Sequence, residues 1–282
     1  MIRYYIIADF FYKDFTGGAE LNDFSLVQRF NERGITVEEK YCKDVTIDFL
    51  ISNRHSRFII ANFVTLSRRI KEYIANNCNY VIYEHDHKYL SKRNPIFYKD
   101  FIAPKSEIIN FHFYRKAKAV ICLTQMALDV FVANTGLKNV LKVGASVWRD
   151  EDLNYILSLS KNEKNDKYAI MDSDNPIKKR EECINFCTSK GIEFDLIKDK
   201  NHMEFLKKLS SYKGLVFKTG HLETCCRLVV EAKMLKCNVI MQKRAIGATS
   251  EDWFALSGEK LVERIRQISC NSVDIFLQGF GK

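Results

Sequence analysis

The chain has 282 residues, 46% of them hydrophobic, and 44 lysines and arginines stand against 35 acidic residues for a formal charge of +9. That length and apolar content exclude a disordered or fibrous chain and suffice for one large domain or two of ordinary size. The basic balance points to anionic partners such as nucleotide, nucleic acid or an anionic membrane surface, without choosing among them.

The N-terminal "MIRYYIIADFF" is interrupted by Arg3 and Asp9, unlike a secretory signal. No apolar run reaches the roughly 18 residues that a bilayer span needs, so a cytoplasmic chain with no integral membrane segment is expected. From there, β-rich apolar runs alternate with amphipathic stretches: "RYYIIADF" then "AELNDFSLVQRFNERG", "RFIIANF" then "TLSRRIKEYIANN", "NYVIYEHD", "KAVICLT" then "QMALDVFVANTG", and "NVLKVGA". Strand followed by helix, repeated, predicts a parallel sheet covered on both faces.

Residues 149–166, "RDEDLNYILSLSKNEKND", lose the strand pattern and are rich in charge and Asn, as in a linker carrying a helical piece. The alternation then restarts with "KYAIMDS", a helix over about Lys178 to Lys190, "EFDLIKD", "HMEFLKKLSSY", "GLVFKT", a helix within "GHLETCCRLVVEAKML" and "NVIMQ"; Trp253 to Gln267 reads as closing helices. The expected organisation is two Rossmann-like α/β domains, 1–148 and 167–282, facing across a cleft, with ligands beyond the carboxyl ends of the strands. The nine cysteines include no CxxC pair, and Cys183 and Cys187 share one helix face, which fits reduced core thiols better than disulfides or zinc ligands.

Four stretches at strand ends carry candidate chemistry. Gly17 and Gly18, at a helix start after the first strand, would let a phosphate or sugar approach the backbone, or simply make a turn. Glu84, His85, Asp86 and His87 follow "NYVIY" and suit a polar cleft lining, with a metal site or a solvated loop as other readings. Asp172-Ser173-Asp174 has the form of a metal-holding DxD; Lys178, Lys179 and Arg180 behind it, at a helix start, would suit a diphosphate, or make an exposed basic helix end. Glu223 and Glu231 have seven residues between them. On one helix, Glu223 at its start would accept from sugar hydroxyls and Glu231, about 12 Å along the axis, from the vicinal hydroxyls of a ribose. Otherwise Glu223 caps the helix and Glu231 pairs with a buried basic residue.

In this order the stretches resemble those of retaining glycosyltransferases with the GT-B fold, particularly family 4. "GGAE" is similar to their glycine loop, "EHDH" to their His-containing loop, "DSDNPIKK" to their diphosphate segment, and Glu223 to Glu231, followed by "EAKMLKCNVI", to their paired glutamates; the likeness spans about residues 4–245. The resemblance implies a metal-independent hexosyltransferase without a cofactor, whose donor substrate is a nucleoside diphosphate sugar. Its acceptor would be a sugar, glycan, lipid or DNA, with peripheral membrane contact compatible with the charge. It further implies that Gly17 and Gly18 approach the donor phosphate or the acceptor, that His85 contacts the transferred sugar, and that Lys178 meets the diphosphate. Glu223 and Glu231 would take the sugar and ribose hydroxyls. Ser173 stands where that family usually has an arginine, which shifts the diphosphate onto Lys179, Arg180 or Arg227. A DNA-modifying transferase and a non-catalytic nucleotide-binding module of the same fold are the alternatives.

Overall fold

The computed structural model describes residues 2–14 and 16–281, so Phe15, ahead of the Gly17-Gly18 turn, lies outside the described residues. The chain divides into two compact units, one of residues 1–147 and 268–282 and one of residues 148–267. It therefore crosses between them twice.

The first unit contains β1 (Tyr4–Ala8), α1 (Gly18–Glu32), β2 (Val37–Tyr41), α2 (Ile47–Ser52), β3 (Arg57–Ile60), α3 (Arg68–Asn77), β4 (Asn79–Glu84), α4 (Phe111–Lys116), β5 (Val120–Cys122), α5 (Gln125–Thr135) and β6 (Val140–Lys142). Its six strands form one parallel sheet in the order β2-β1-β3-β4-β5-β6. The central strands are apolar runs with no polar face, as a sheet covered on both sides requires. β1, for example, is buried at all five positions. β2 is the exception, a strand with no apolar run to mark it: its "VEEKY" sits at the sheet edge with both glutamates exposed.

The second unit contains α6 (Asp150–Leu159), β7 (Asn165–Met171), α7 (Arg180–Lys190), β8 (Phe194–Ile197), α8 (His202–Ser210), β9 (Tyr212–Phe217), α9 (Arg227–Met234), β10 (Asn238–Met241) and the start of α10 (Gly258–Gly279). The sheet order is β10-β9-β7-β8, again parallel. The stretch expected as a linker is instead part of this unit, because α6 buries Leu153, Ile156 and Leu159 and β7 begins at Asn165. The closing helices also differ from expectation. A short 3₁₀ turn at Asp252–Ala255 precedes the 22-residue α10, whose residues from Ile268 onward belong to the first unit. There Phe276 meets Phe30 and Tyr83 edge-on, and Arg33 pairs with Asp274.

In each sheet the chain order reverses once. After β1 the chain adds β2 on one side and then β3 on the other; after β7 it adds β8 and then β9 on the other side. A crevice opens outside the carboxyl ends of the strands at such a reversal, and this is where open α/β sheets hold ligands.

All nine cysteines are free thiols, and seven of them are buried. Burial pushes the Cys42 thiol well above its ordinary value, as expected of a core side chain rather than a reactive one.

Gly214 in β9 marks the tightest point of the second sheet. A Cβ there would stand 2.4 Å from the Asn238 carbonyl oxygen of β10 and 2.3 Å from the Tyr168 ring of β7. The ring can turn but the paired strand cannot retreat, so Gly214→Ala is expected to destabilise the second unit by about 2 kcal/mol or more. Urea unfolding of the two proteins checks this; equal midpoints would contradict it.

Candidate functional site

Two groups of side chains gather at strand ends, one at the β7/β9 reversal of the second unit and one between the start of α1 and the end of β4 in the first. In the second unit, Lys178 lies at the end of a 3₁₀ turn, Pro176–Lys178, that follows β7, and Glu223 lies in the segment that follows β9. Their side chains meet, with Lys178 Nζ 2.9 Å from Glu223 Oε1 and both groups part-buried. The backbone of Glu223 is held at both ends: its amide donates to the Ala245 carbonyl, and the Gly247 amide donates to the Glu223 carbonyl. Thr219 lies 3.4 Å from the same carboxylate oxygen and accepts from the His221 amide. The ammonium stands 5.5 Å from the Phe217 ring centroid. Burial alone would lower the Lys178 pKa, but the Glu223 carboxylate outweighs it and raises the value above normal.

The helix expected to carry both glutamates carries only one. α9 starts at Arg227, after Cys226 in the left-handed region at φ 71°. Glu223 precedes that break and forms a parallel bridge with Ile246. The axial spacing read from a single helix therefore does not apply.

Glu231 is 2% exposed, and donors reach both of its oxygens. Trp148 Nε1 donates to Oε1 at 3.0 Å and His202 Nε2 to Oε2 at 3.0 Å, with Arg227 Nε 3.4 Å from Oε1. The Arg227 guanidinium also lies 4.2 Å over the Trp148 ring. Burial would raise the Glu231 pKa, but His202 above all, then Arg227 and Trp148, reverse this and hold it at about 2. His202, the first residue of α8, and Trp148, the first residue of the unit, carried no recognisable signal in the sequence.

The basic residues near Lys178 have partners of their own. Lys179, in the left-handed region at φ 49°, pairs with Glu182 at 2.8 Å, and its stem packs on Gly220. Arg180 Nη1 is 2.7 Å from Asp172 and 3.7 Å from Asp174, which also meets Lys198 at 2.9 Å. Ser173 accepts from the Asn175 amide. The carboxylates of the DxD are thus matched by cations, and among the described residues no cluster of His, Cys, Asp and Glu is arranged to hold a metal ion.

In the first unit, His85 follows β4 and its Nε2 lies 2.7 Å from Asp23 Oδ1 of α1, both side chains being buried. The Tyr83 ring backs the imidazole at 4.4 Å, and Asn22 holds Tyr83 at 2.6 Å while accepting from the Val147 amide at 2.6 Å. Glu20, on the same first turns of α1, is buried, and burial raises its pKa. Gly17 is the N-cap of α1 and Gly18 its first residue; a Cβ at Gly18 would meet nothing within 4 Å. Of the remaining polar residues of the stretch, Glu84 and His87 are buried and Asp86 is part-buried. Glu84 accepts from Tyr114 and Lys88, Asp86 pairs with Lys88 and Arg93, and His87 contacts the Tyr89 hydroxyl at 3.0 Å.

No protein-family profile matches the chain, and no curated protein is similar enough to count as a relative. Solved structures do share its fold. An α-glucosyltransferase in complex with UDP and a 13-mer DNA containing an HMU base aligns over 99% of this chain and 95% of its own, with TM-score 0.53 and 11% identity. The UDP-N-acetylglucosamine 2-epimerase of Rickettsia bellii aligns over 99% and 97%, with TM-score 0.55 and 8% identity. The catalytic domain of starch synthase IV from Arabidopsis thaliana, bound to ADP and acarbose, aligns over the whole of both chains, with TM-score 0.60 and 8% identity. The fold is of the GT-B type, an α/β architecture with two parallel sheets. At these identities the likeness extends to the fold and not to the chemistry.

The Glu231 carboxylate predicts an acid-sensitive second unit. Its pKa is depressed from an ordinary value near 4.5 to about 2. Its contribution is therefore present in full above pH 4.5 and is lost as the pH falls towards 2. The shift corresponds to about 3 kcal/mol. Glu231→Gln, which keeps the shape and removes the charge, should lower unfolding free energy by about that amount at pH 5, and the gap to the unsubstituted protein should close between pH 4.5 and 2. A gap that stays constant in urea titrations across that range would contradict the assignment.

Proposed function

We propose that this protein is a glycosyltransferase that moves a sugar from a nucleoside diphosphate sugar to an acceptor hydroxyl, with retention at the anomeric carbon. The observation that carries the reading is the Lys178–Glu223 pair at the β7/β9 reversal, where a cation and a hydroxyl acceptor stand together on the two loops that flank the crevice.

The pair has the right chemistry for both halves of such a donor. The leaving diphosphate gains negative charge as the glycosidic bond breaks, and an ammonium held beside it stabilises that charge more than it stabilises the intact donor. A carboxylate accepts from a vicinal diol through both oxygens. Without ligand each group neutralises the other. With the donor in place, Lys178 turns to the phosphates and leaves Glu223 for the sugar hydroxyls. Positive charge from Lys178 and the N-terminus of α7 serves the phosphates, which supports a metal-independent route. Arg180 and Lys198, by neutralising Asp172 and Asp174, support it as well.

Lys178 carries the diphosphate role in this reading, because its own partner Glu223 lies at the same reversal and can turn to the sugar, whereas Lys179, Arg180 and Arg227 pair with Glu182, Asp172 and Glu231. Ser173 is a loop residue beside it. Glu231 reaches a ribose only if the His202 ring swings aside; otherwise it acts by holding His202. The first unit is proposed to serve the acceptor side. Its His85 is oriented by Asp23, and the open space above Gly18 admits a ligand to the start of α1.

A half-exposed ion pair contributes about 1 kcal/mol or less to stability, so Lys178→Ala and Glu223→Gln should remain folded. Removing one preorganised charge partner of the transition state should cut turnover by about 10²-fold or more. Release of nucleoside diphosphate from UDP-, GDP-, ADP- and TDP-sugars, followed alongside the melting temperature, checks both statements. Undiminished turnover in either variant would remove the pair from the site.

Gly18→Ala separates packing from ligand approach. With open space around the added methyl, stability should change by no more than about 0.5 kcal/mol. Ligand affinity should fall if the backbone there is approached closely, and unchanged binding and activity would assign Gly18 to the turn alone.

A further inference from the structure

The chain first passes from one unit to the other at the peptide bond between Val147 and Trp148. A crossing of this kind is ordinarily an exposed and loosely held linker. Here residues 143–148 are buried without a break. The approach is fixed by backbone bonds, the Val143 amide donating to the Cys122 carbonyl at 3.0 Å and the Gly144 amide to the Leu123 carbonyl at 2.9 Å. The departure is fixed by Arg149, whose Nε and Nη2 lie 2.9 and 2.6 Å from the two oxygens of Asp152 in α6.

The two residues at the crossing are held by side chains of the two candidate groups. On the first side, the Val147 amide donates to Asn22 Oδ1 at 2.6 Å, and Asn22 Nδ2 meets the Tyr83 hydroxyl at 2.6 Å. The Tyr83 ring backs His85, and Asp23, the next residue of α1, holds His85 Nε2. Adjacent residues of one helix turn thus hold the crossing and the imidazole. On the second side, Trp148 Nε1 donates to Glu231 Oε1 at 3.0 Å while Arg227 covers the indole at 4.2 Å. Every one of these contacts lies within a single unit, and one peptide bond joins the two sets.

Neither set can shift alone. Trp148 is fully buried, and a buried indole N–H that loses its acceptor bears the cost of having left water, so the ring follows Glu231. Asn22 is bonded through both ends of one rigid amide, so a displacement of Val147 also turns the end that meets Tyr83. Close packing passes such a displacement on instead of absorbing it.

We propose that Trp148 and Asn22 are positioning residues that couple the Glu231 carboxylate to the setting of His85, so that a change of partner at Glu231 is felt at the imidazole. What the coupling serves rests on the proposed function, in which the acceptor-side histidine is set by the state of the donor side. The coupling itself operates without any ligand.

The test follows the His85 ring by NMR in protein labelled at its six histidines, the signal being assigned by its loss in His85→Gln. Trp148→Phe keeps an aromatic ring beside Arg227 and removes the Nε1–H donor; with no ligand present it is expected to displace the His85 signal by more than its linewidth. Leu209→Ala, a fully buried substitution in α8 off this route, should leave the signal in place. When Asn22→Ala, or the milder Tyr83→Phe, is already present, the further displacement caused by Trp148→Phe should fall by at least half. Melting curves confirm that each variant compared is folded. An unmoved signal in Trp148→Phe, an equal displacement in Leu209→Ala, or a full displacement in both cut backgrounds would overturn the proposal. UDP, GDP, ADP and TDP, added to the unsubstituted protein, separate it from the donor reading: no rise in melting temperature with any of them would count against the donor assignment and leave the ligand-free result as it stands.

Discussion

A carboxylate withdrawn from water keeps its charge only where donors converge on it, and each unit is organised around that requirement. In the second unit Glu231 draws together Trp148 at the entry to the unit, His202 at the head of α8 and Arg227 on its own helix. These elements are far apart in sequence, and the buried charge leaves them little freedom. In the first unit Glu84 plays the corresponding part at the end of β4. It takes the Tyr114 hydroxyl, the Lys88 ammonium and the amides of Asp86 and Lys88. The loop is thereby folded back on the strand that launches it, and His85, between strand and loop, is delivered to Asp23. Rigid support of this kind lets a site hold its geometry before any ligand arrives.

The fold was legible because buried parallel strands leave a strong trace, such as the apolar runs of β1, β3 and β4. The edge strand β2 left none, since half of its surface faces water and three of its five residues are charged. The positions of Lys178 after β7 and Glu223 after β9 were legible for a related reason, since each closely follows a strand marked by the alternation. The start of α9 was not, because Thr224, Cys225 and Cys226 fit a helix by composition and only the left-handed Cys226 interrupts it. The need of Glu231 for a partner could be argued from its apolar neighbours. The identity of the donors could not, since Trp148 and His202 lie 83 and 29 residues away. Asp23 was hidden likewise, 62 residues from His85.

A fold found in both a DNA-bound glucosyltransferase and a sugar-nucleotide epimerase does not by itself choose a chemistry. The outcome rests on a few side chains at the strand ends. In this chain the β7/β9 reversal holds one ammonium and one carboxylate paired with each other, and the charged groups around them hold partners of their own.

The return of α10 to the first unit has a consequence for how the molecule is made. Residues 268–281 supply Phe276 against Phe30 and Tyr83, Phe280 against Tyr4, and Asp274 for Arg33. These contacts do not exist when the first 147 residues have left the ribosome, although the whole six-stranded sheet has by then been synthesised. The second unit, contiguous from Trp148 to Gln267, can close while the first still waits for its last helix. Vectorial synthesis, which ordinarily completes the N-terminal domain first, here finishes it last, and until then an apolar face along α1 and β4 stays exposed for other factors to shelter.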